Sequence, residues 1–474
     1  MTNFSPKISI KLFDTLTNQL QELKTLQQDQ LKMYVCGPTV YDRPHLGNAR
    51  SIVVYDLFYR FFLQVFDKVI YVRNITDVDD KINNSAIEQK ISIQELTTKI
   101  INYFYHDINN LNVLSPNFEP KVTENIDEII DLIKKILANN HGYISNNHVL
   151  FDVSSYKFYG KLSNRKIDEL ISGSRIEIAD YKKNPLDFVL WKPADENDDP
   201  SSVFESPWGK GRPGWHIECS AMSHRFLGEN FDFHGGGADL QFPHHENEIA
   251  QSCSAHHGSS YASFWVHNGF LTVNGEKMSK SLKNFITVND LLSKGIHGTT
   301  IRLMLLSSHY RKPLDFNQKI LDDSQKTLQK FHDILQICDL ENVDFKNHKI
   351  SPIILEYLAD DLNISKVLAV LHEQHKLLKS NQNTEKLQQY LANLNFLGFL
   401  DKKFIEKPNQ NSDLINNQLI DKEYIEQQLK LRQELKADKK YHEADKIRDK
   451  LLQIGIGIED KPNNQSIFYQ IKKD

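Results

Sequence analysis

Four cysteines in 474 residues are too few for a disulfide framework, so a reducing compartment is the default expectation. No stretch of 18 consecutive apolar residues occurs, which argues against a membrane-spanning helix. The opening residues Met1 to Lys7 lack the apolar core of a signal peptide, and a cytoplasmic location is expected. Positive charge is not in excess. The chain has 57 Lys and Arg against 62 Asp and Glu, a formal net charge of −5. That excludes a general basic coat for nucleic acid but leaves room for a local basic patch. Glycine is scarce from about residue 316 to 454, and no internal repeat is found.

What is present suits a globular chain of two to four domains: 40% hydrophobic, 25% charged. Met33-Tyr34-Val35-Cys36 reads as a buried strand broken by Gly37-Pro38. Residues 49–64 carry helical periodicity, and Val69-Ile70-Tyr71-Val72 is strand-like again. Strand, helix and strand within about 40 residues predict a βαβ unit and a parallel sheet. An amphipathic helix over 119–139, a strand at 148–153 and a loop-rich acidic stretch from 184 to 206 interrupt this pattern. They read as an insertion. Asn274-Gly275 marks a hairpin after the strand Phe270 to Val273.

Three groups of residues carry chemistry. Cys36, Cys219, His244 and Glu248 offer two thiols, an imidazole and a carboxylate, a plausible zinc set. His244 and Glu248 are four apart and share a helical face; adjacent His245 competes as a ligand. Second, Pro44-His45-Leu46-Gly47-Asn48 falls between a strand and a helix. There a backbone close approach and a helix N-terminus favour a phosphate. Third, Lys277-Met278-Ser279-Lys280-Ser281 places two ammonium groups and two hydroxyls on one loop, suited to polyphosphate. Singly, each has a plainer reading: Cys219 as a small buried hydrophobe, Trp215 as core, Thr76 as a helix cap, the lysines as solvated.

Together, in order, they resemble a family. His45-Leu46-Gly47-Asn48 and Lys277-Met278-Ser279-Lys280-Ser281 resemble the two signatures of class I aminoacyl-tRNA synthetases. Tyr34-Val35-Cys36-Gly37-Pro38-Thr39-Val40-Tyr41-Asp42, the segment Arg73 to Lys81, Gly214-Trp215-His216-Ile217-Glu218-Cys219-Ser220 and Gly235-Gly236-Gly237-Ala238-Asp239 through His244-His245-Glu246-Asn247-Glu248 resemble cysteinyl-tRNA synthetases. The resemblance spans nearly the whole chain. One departure is Asn48, where a second histidine is common.

The resemblance implies an ATP-dependent attachment of L-cysteine to its tRNA through a cysteinyl-adenylate. It implies one Zn2+ per chain on Cys36, Cys219, His244 and Glu248, selecting the substrate thiolate, and Mg2+ with ATP. His45, Asn48, Lys277 and Lys280 take the catalytic roles. His45, Gly47, Asn48, Gly237, Asp239 and Lys280 would bind ATP, and Thr76, Trp215 and His234 would line the cysteine pocket. Lys436, Asp445 and Asp460 fall at tRNA-binding positions, in a stretch (430–450) with eight basic against five acidic side chains. A monomer is the expectation.

The expected fold class is α/β. A Rossmann-type parallel-sheet catalytic domain (1–118 and 206–265) is interrupted by an inserted region (119–205). The signature loop (266–315), a helical bundle (316–406) and a small mixed α/β anticodon-binding domain (407–474) follow. Two other readings compete: a ligase passing the same adenylate to a small amino-sugar, which would not need residues 407–474, and a non-enzymatic RNA-binding relative, which could lose His45, Lys280 or a zinc ligand.

Overall fold

The computed structural model describes residues 8–164, 179–196, 198–278, 282, 284–336, 344–380, 383–400 and parts of 428–470. Two compact units divide at Lys402 and Lys403.

The first unit starts with a hairpin, β1 (Lys11–Asp14) and β2 (Gln19–Glu22), and then enters its main sheet. β3 (Gln30–Val35) is followed by α1 (Leu46–Val65) and β4 (Lys68–Arg73). α2 (Asp80–Gln89), α3 (Ile93–Asn110) and α4 (Ile126–Ala138) come next. Then β5 (Gly142–Ser145), β6 (His148–Phe151), β7 (Phe188–Pro193) and β8 (Gly211–Pro213) build a separate antiparallel sheet. Its fourth strand lies beyond residue 205, so the inserted sheet closes later in the chain than the composition shift marks.

After it come α5 (Trp215–Leu227), β9 (Asn230–Gly237), α6 (Glu246–Ala255) and β10 (Tyr261–Asn268). The main sheet runs β10-β9-β3-β4, every pairing parallel. From β3 the chain moves to β4 on one side and later returns to β9 on the other. The carboxyl ends of β3 and β9 therefore bound the point where strand order reverses, the preferred ligand crevice of such sheets. Cys36 lies one residue past β3, its backbone N–H bonded to the Gly235 carbonyl at 3.3 Å.

β3 reads as a continuous apolar run because it is covered: Leu31, Met33, Tyr34 and Val35 are buried. The same reason makes α1 apolar on most of its circumference, with 15 of its 20 residues buried. It packs against β4 and β9. Three charged residues, Arg50, Asp56 and Arg60, are among those buried on it. Asp56 accepts from Arg60 at 2.7 Å, Arg302 at 2.5 Å and the Leu114 N–H at 2.7 Å.

The rest of the unit comprises β11 (Leu271–Val273), β12 (Glu276–Lys277), α7 (Val288–Ser293), α8 (Gly298–Leu306) and β13 (Leu314–Phe316), then α9 (Gln318–His332), α10 (Pro352–Ala359), α11 (Ile364–Ser380) and α12 (Thr384–Phe396). Asn274 and Gly275 turn β11 into β12 with φ of 51° and 81°, the left-handed pair of a tight hairpin.

In the second unit, β14 (Ile456–Asp460) pairs antiparallel with β15 (Ser466–Gln470). Leu429, Ile447 and Leu451 form a small core against Leu435 and Ile458. Ile447 and Leu451 are buried in it. Among the described residues no helix is long and apolar enough to cross a membrane.

Candidate active site

Cys36 arrives from the end of β3, Cys219 from α5, His244 from the turn leading into α6 and Glu248 from the first turn of α6. The regular helix starts only at Glu246. His244 sits in the wider turn Gln241–His245 before it, after a cis Phe242–Pro243 bond. The four-residue spacing still brings the pair together, with His244 Nε2 3.0 Å from Glu248 Oε1. Cys36 Sγ lies 3.7 Å from Cys219 Sγ and 3.3 Å from Glu248 Oε1. The four donor atoms fall within 4.8 Å of one another.

A tetrahedral ion with bonds of about 2.0–2.3 Å requires ligand separations of roughly 3.3–3.8 Å. The Cys36–Cys219 and Cys36–Glu248 spacings fall in that range, and the His244–Glu248 spacing of 3.0 Å is slightly shorter. A second set, Cys36, His234, His245 and Glu248, shares two of these groups. Its histidines reach the same groups, with His245 Nε2 3.4 Å from Cys36 Sγ. His234 Nε2 is bonded to Glu248 Oε2 at 2.9 Å, and His245 Nδ1 to His267 Nε2 at 2.7 Å.

Protonation reflects the crowding. Burial pushes the Cys36 thiol well up, as does neighbouring Cys219. Burial also opposes ionisation of Cys219, but bonds from Cys36 and His244 bring it down to about 6. His244 is destabilised as a cation by burial, yet Glu248 and Cys219 lift it to about 10. Glu248 is held well below the carboxylate range by His234 and His244 against a desolvation cost. Without a metal, protons do the balancing, and one thiol stays protonated. A divalent cation would replace those protons.

Around this set lie residues to which the motifs assign no role. His216 Nδ1 is 2.9 Å from His244 Nδ1. Asn74 accepts from Gly37 N–H at 2.9 Å and lies 3.7 Å from Cys219 Sγ. A Cβ on Gly37 would lie 1.7 Å from the Asn74 carbonyl oxygen, so glycine is required there. Glu246 accepts from the Gly160 and Ser163 N–H groups, both at 2.9 Å, fastening α6 to the insertion. His216, Glu218 and Asn74 lay inside motif segments; Tyr261, on an ordinary-looking strand, carried no signal.

The three cysteine-pocket candidates differ in exposure. Trp215 is 38% exposed and stacks on His244 at 4.3 Å between centroids. Thr76 is buried, donating to Glu218 at 3.0 Å and accepting from Asn74 at 3.2 Å. His234 is fully buried against Trp265, 4.5 Å away.

The phosphate-type signature is built at the start of α1. His45 is the N-cap, its Nδ1 accepting from Gly47 and Asn48 N–H at 3.0 and 3.2 Å. Asn48 Oδ1 accepts in return from the His45 N–H at 3.3 Å, a reciprocal capping box. That bonding places the neutral ring's proton on Nε2. Burial lowers the His45 pKa, although Asp239 and Asp42 oppose it, so the neutral form prevails at neutral pH. A Cβ on Gly47 would sit 2.9 Å from the His45 ring and 3.4 Å from the Met278 methyl. The segment past the second signature holds the first: Leu46 N–H bonds Ile286 O at 2.9 Å, and Phe285 meets the His45 ring edge-on at 5.1 Å. Asp239 is exposed and follows Gly237 at the end of β9, and Lys277 is exposed on β12. Lys280 lies outside the described residues, as does the side chain of Asp460. Asp445 and Lys436 lie on helical residues of the second unit, Asp445 3.8 Å from Arg448.

A parallel sheet with a donor cluster and the His45–Asn48 helix cap at its strand-order reversal matches a class I tRNA synthetase catalytic domain. The family profile described as "tRNA synthetases class I (C) catalytic domain" matches residues 22–326. Two solved structures share the fold. Mycobacterium tuberculosis methionyl-tRNA synthetase in complex with methionyl-adenylate gives a TM-score of 0.54 at 14% identity, covering 78% of this chain and 88% of that one. Agrobacterium radiobacter K84 agnB2 LeuRS, in a ternary complex with tRNA and LeuAMS, gives 0.54 at 9% identity, covering 78% and 83%. Within that class the relatives are specific. The cysteine–tRNA ligase of Wolbachia sp. subsp. Drosophila simulans (strain wRi) is 49% identical over 464 residues, 97% of this chain and 100% of the relative. That of Rickettsia bellii (strain OSU 85-389) is 47% identical over 469 residues, 97% and 99%. The chain belongs to the cysteine–tRNA ligase family.

Proposed function

We propose that this protein activates L-cysteine with ATP, taken as its magnesium complex, to a cysteinyl-adenylate and then passes the cysteinyl group to tRNA. The observation that carries this reading is the juxtaposition of two thiols, His244 and Glu248 at the strand-order reversal of a class I fold. Bound zinc would supply a strong bond to a thiolate and a weak one to a hydroxyl. Cys36, Cys219, His244 and Glu248 would hold it. Shape alone separates cysteine from serine poorly, since small pocket differences yield about 1–3 kcal/mol.

The chain's own groups do the rest. Trp215 covers the site with an open indole face. The fixed Nε2–H of His45 and the remaining Nδ2–H donors of Asn48 are placed to meet phosphate oxygens as charge develops on them. Because Asn48 spends only its oxygen on the cap, its amide still donates, which answers the departure from histidine. Lys277 and Lys280 add point charges to the leaving pyrophosphate, and Asp239 suits a ribose hydroxyl. The substrate carboxylate then attacks the α-phosphate without a protein nucleophile. Lys436, Asp445 and Asp460 are assigned to the tRNA. Relatives match this chain to 97% of its length, which favours tRNA over a small amino-sugar as acceptor.

The test is cysteine-dependent ATP–pyrophosphate exchange with and without chelator, followed by charging of tRNA. Exchange that survives complete metal removal, or exchange without charging, would overturn the corresponding part.

A further inference from the structure

Resting on the assignment of Glu248 as a metal ligand, a second question is what decides how that carboxylate binds. Its two oxygens have different surroundings. Oε1 faces the donor cluster, 3.0 Å from His244 Nε2 and 3.3 Å from Cys36 Sγ. Oε2 faces away and accepts from the Tyr261 hydroxyl at 2.7 Å and from His234 Nε2 at 2.9 Å. Tyr261 is itself held: its oxygen lies 2.8 Å from Ser223 Oγ. A phenol has one proton; when Tyr261 gives it to Glu248, its oxygen is left to accept from Ser223, whose own single proton is also within reach of the Ser220 carbonyl at 3.1 Å. That arrangement is a directed chain, Ser223 to Tyr261 to Glu248.

A second observation marks the same residue. Tyr261 has φ of +61°, a conformation a bulky side chain rarely adopts and one that costs about 1–3 kcal/mol. The ring is 1% exposed, packed edge-on to Phe231 at 5.0 Å. The strained backbone aims a long side chain from the start of β10 at the back of Glu248.

We propose that Tyr261, assisted by His234 and Ser223, is a positioning residue that restricts Glu248 to one-oxygen ligation through Oε1. With Oε2 engaged by two donors, the carboxylate is not free to chelate with both oxygens. A coordination position then stays accessible to the substrate thiolate. Tyr261 in this way sets both the metal affinity and the ease with which cysteine enters.

Tyr261→Phe keeps the ring and removes the donor. Zinc affinity is measured by chelator competition, the site is probed by the visible spectrum of the Co2+-substituted protein, and KM is measured separately for cysteine and ATP. Outer partners of metal ligands are typically worth about 10–100-fold in affinity. A loss in that range is expected, with a changed Co2+ spectrum, a raised KM for cysteine and an unchanged KM for ATP. Wild-type affinity and spectrum in the folded variant would overturn the proposal. Should Tyr261→Phe fail to fold, Ser223→Ala decides: a smaller change in the same direction supports the chain, and no change overturns it. The wild-type protein is assayed first. If it binds no zinc, the assignment of the metal site itself fails, a result distinct from a zinc-loaded wild type with an indifferent variant.

Discussion

Two buried clusters of charge within the first unit make opposite statements. Around Asp56 the protein supplies everything. Arg60 and Arg302 flank the carboxylate, and their other donors end on backbone carbonyls of Asn112, Leu111, Phe396 and Leu397. Burial raises the Asp56 pKa, but the two guanidiniums outweigh it and hold the group low. Around Glu248 the protein supplies donors in excess and leaves a thiol protonated. The first cluster has its donors and acceptors satisfied by hydrogen bonds within the chain and fastens α1 to α8 and the residues after α12. The second would be closed by the cation proposed above. Buried charge alone does not mark a functional site; buried charge whose balance the chain leaves incomplete does.

That contrast can be broken most severely at the open cluster. Cys219→Ser and Cys36→Ser are expected to lose the metal altogether and to lower cysteine activation by more than the roughly 100-fold seen for outer partners. Metal analysis and pyrophosphate exchange check this. Cys253→Ser, which removes a thiol outside the cluster, should retain stoichiometric zinc.

The closed cluster should fail in a different currency. Asp56→Asn leaves two buried guanidiniums uncompensated and is expected to cost about 3–5 kcal/mol of stability with metal content unchanged. Denaturant midpoints across pH sharpen the point. The folded carboxyl is depressed, so its contribution is complete above the unfolded pKa of about 3.9 and fades as pH falls through the folded value. The gap between wild type and Asp56→Asn should therefore narrow below about pH 4.

A smaller effect is expected at the α1 N-terminus, which lies between the two extremes. Gly47→Ala forces a Cβ against the His45 ring and disturbs a cap, a cost of about 1–3 kcal/mol. Pyrophosphate exchange should show a roughly 10- to 100-fold lower kcat/KM for ATP, with zinc retained. The smallest effect is at the surface of the second unit. Lys436→Ala should reduce the salt slope of tRNA binding by about one unit, while cysteine activation stays the same across the salt series.

The sequence alone was enough for the βαβ start, because β3 and α1 are buried and so written in apolar residues, and for the hairpin at Asn274-Gly275, because left-handed turns demand those residues. It also carried the two signatures and the candidate set Cys36, Cys219, His244 and Glu248, since metal ligation restricts residue type and His244 and Glu248 are spaced by a helical turn. What it could not decide were relations between segments far apart in the chain. Nothing local in Phe231, Ser223 or Tyr261 reports that a strained tyrosine reaches Glu248. Nothing in His45 reports that its Nδ1 is spent on the helix cap and Nε2–H left for a ligand, or that Phe285 and Ile286 brace it. That His244 and His245 each enter a donor set with Cys36 and Glu248 depends on the fold. Residue type can be read one position at a time, but which atom of a carboxylate or an imidazole is left free depends on every partner the fold brings to it, and only the tertiary structure counts those partners.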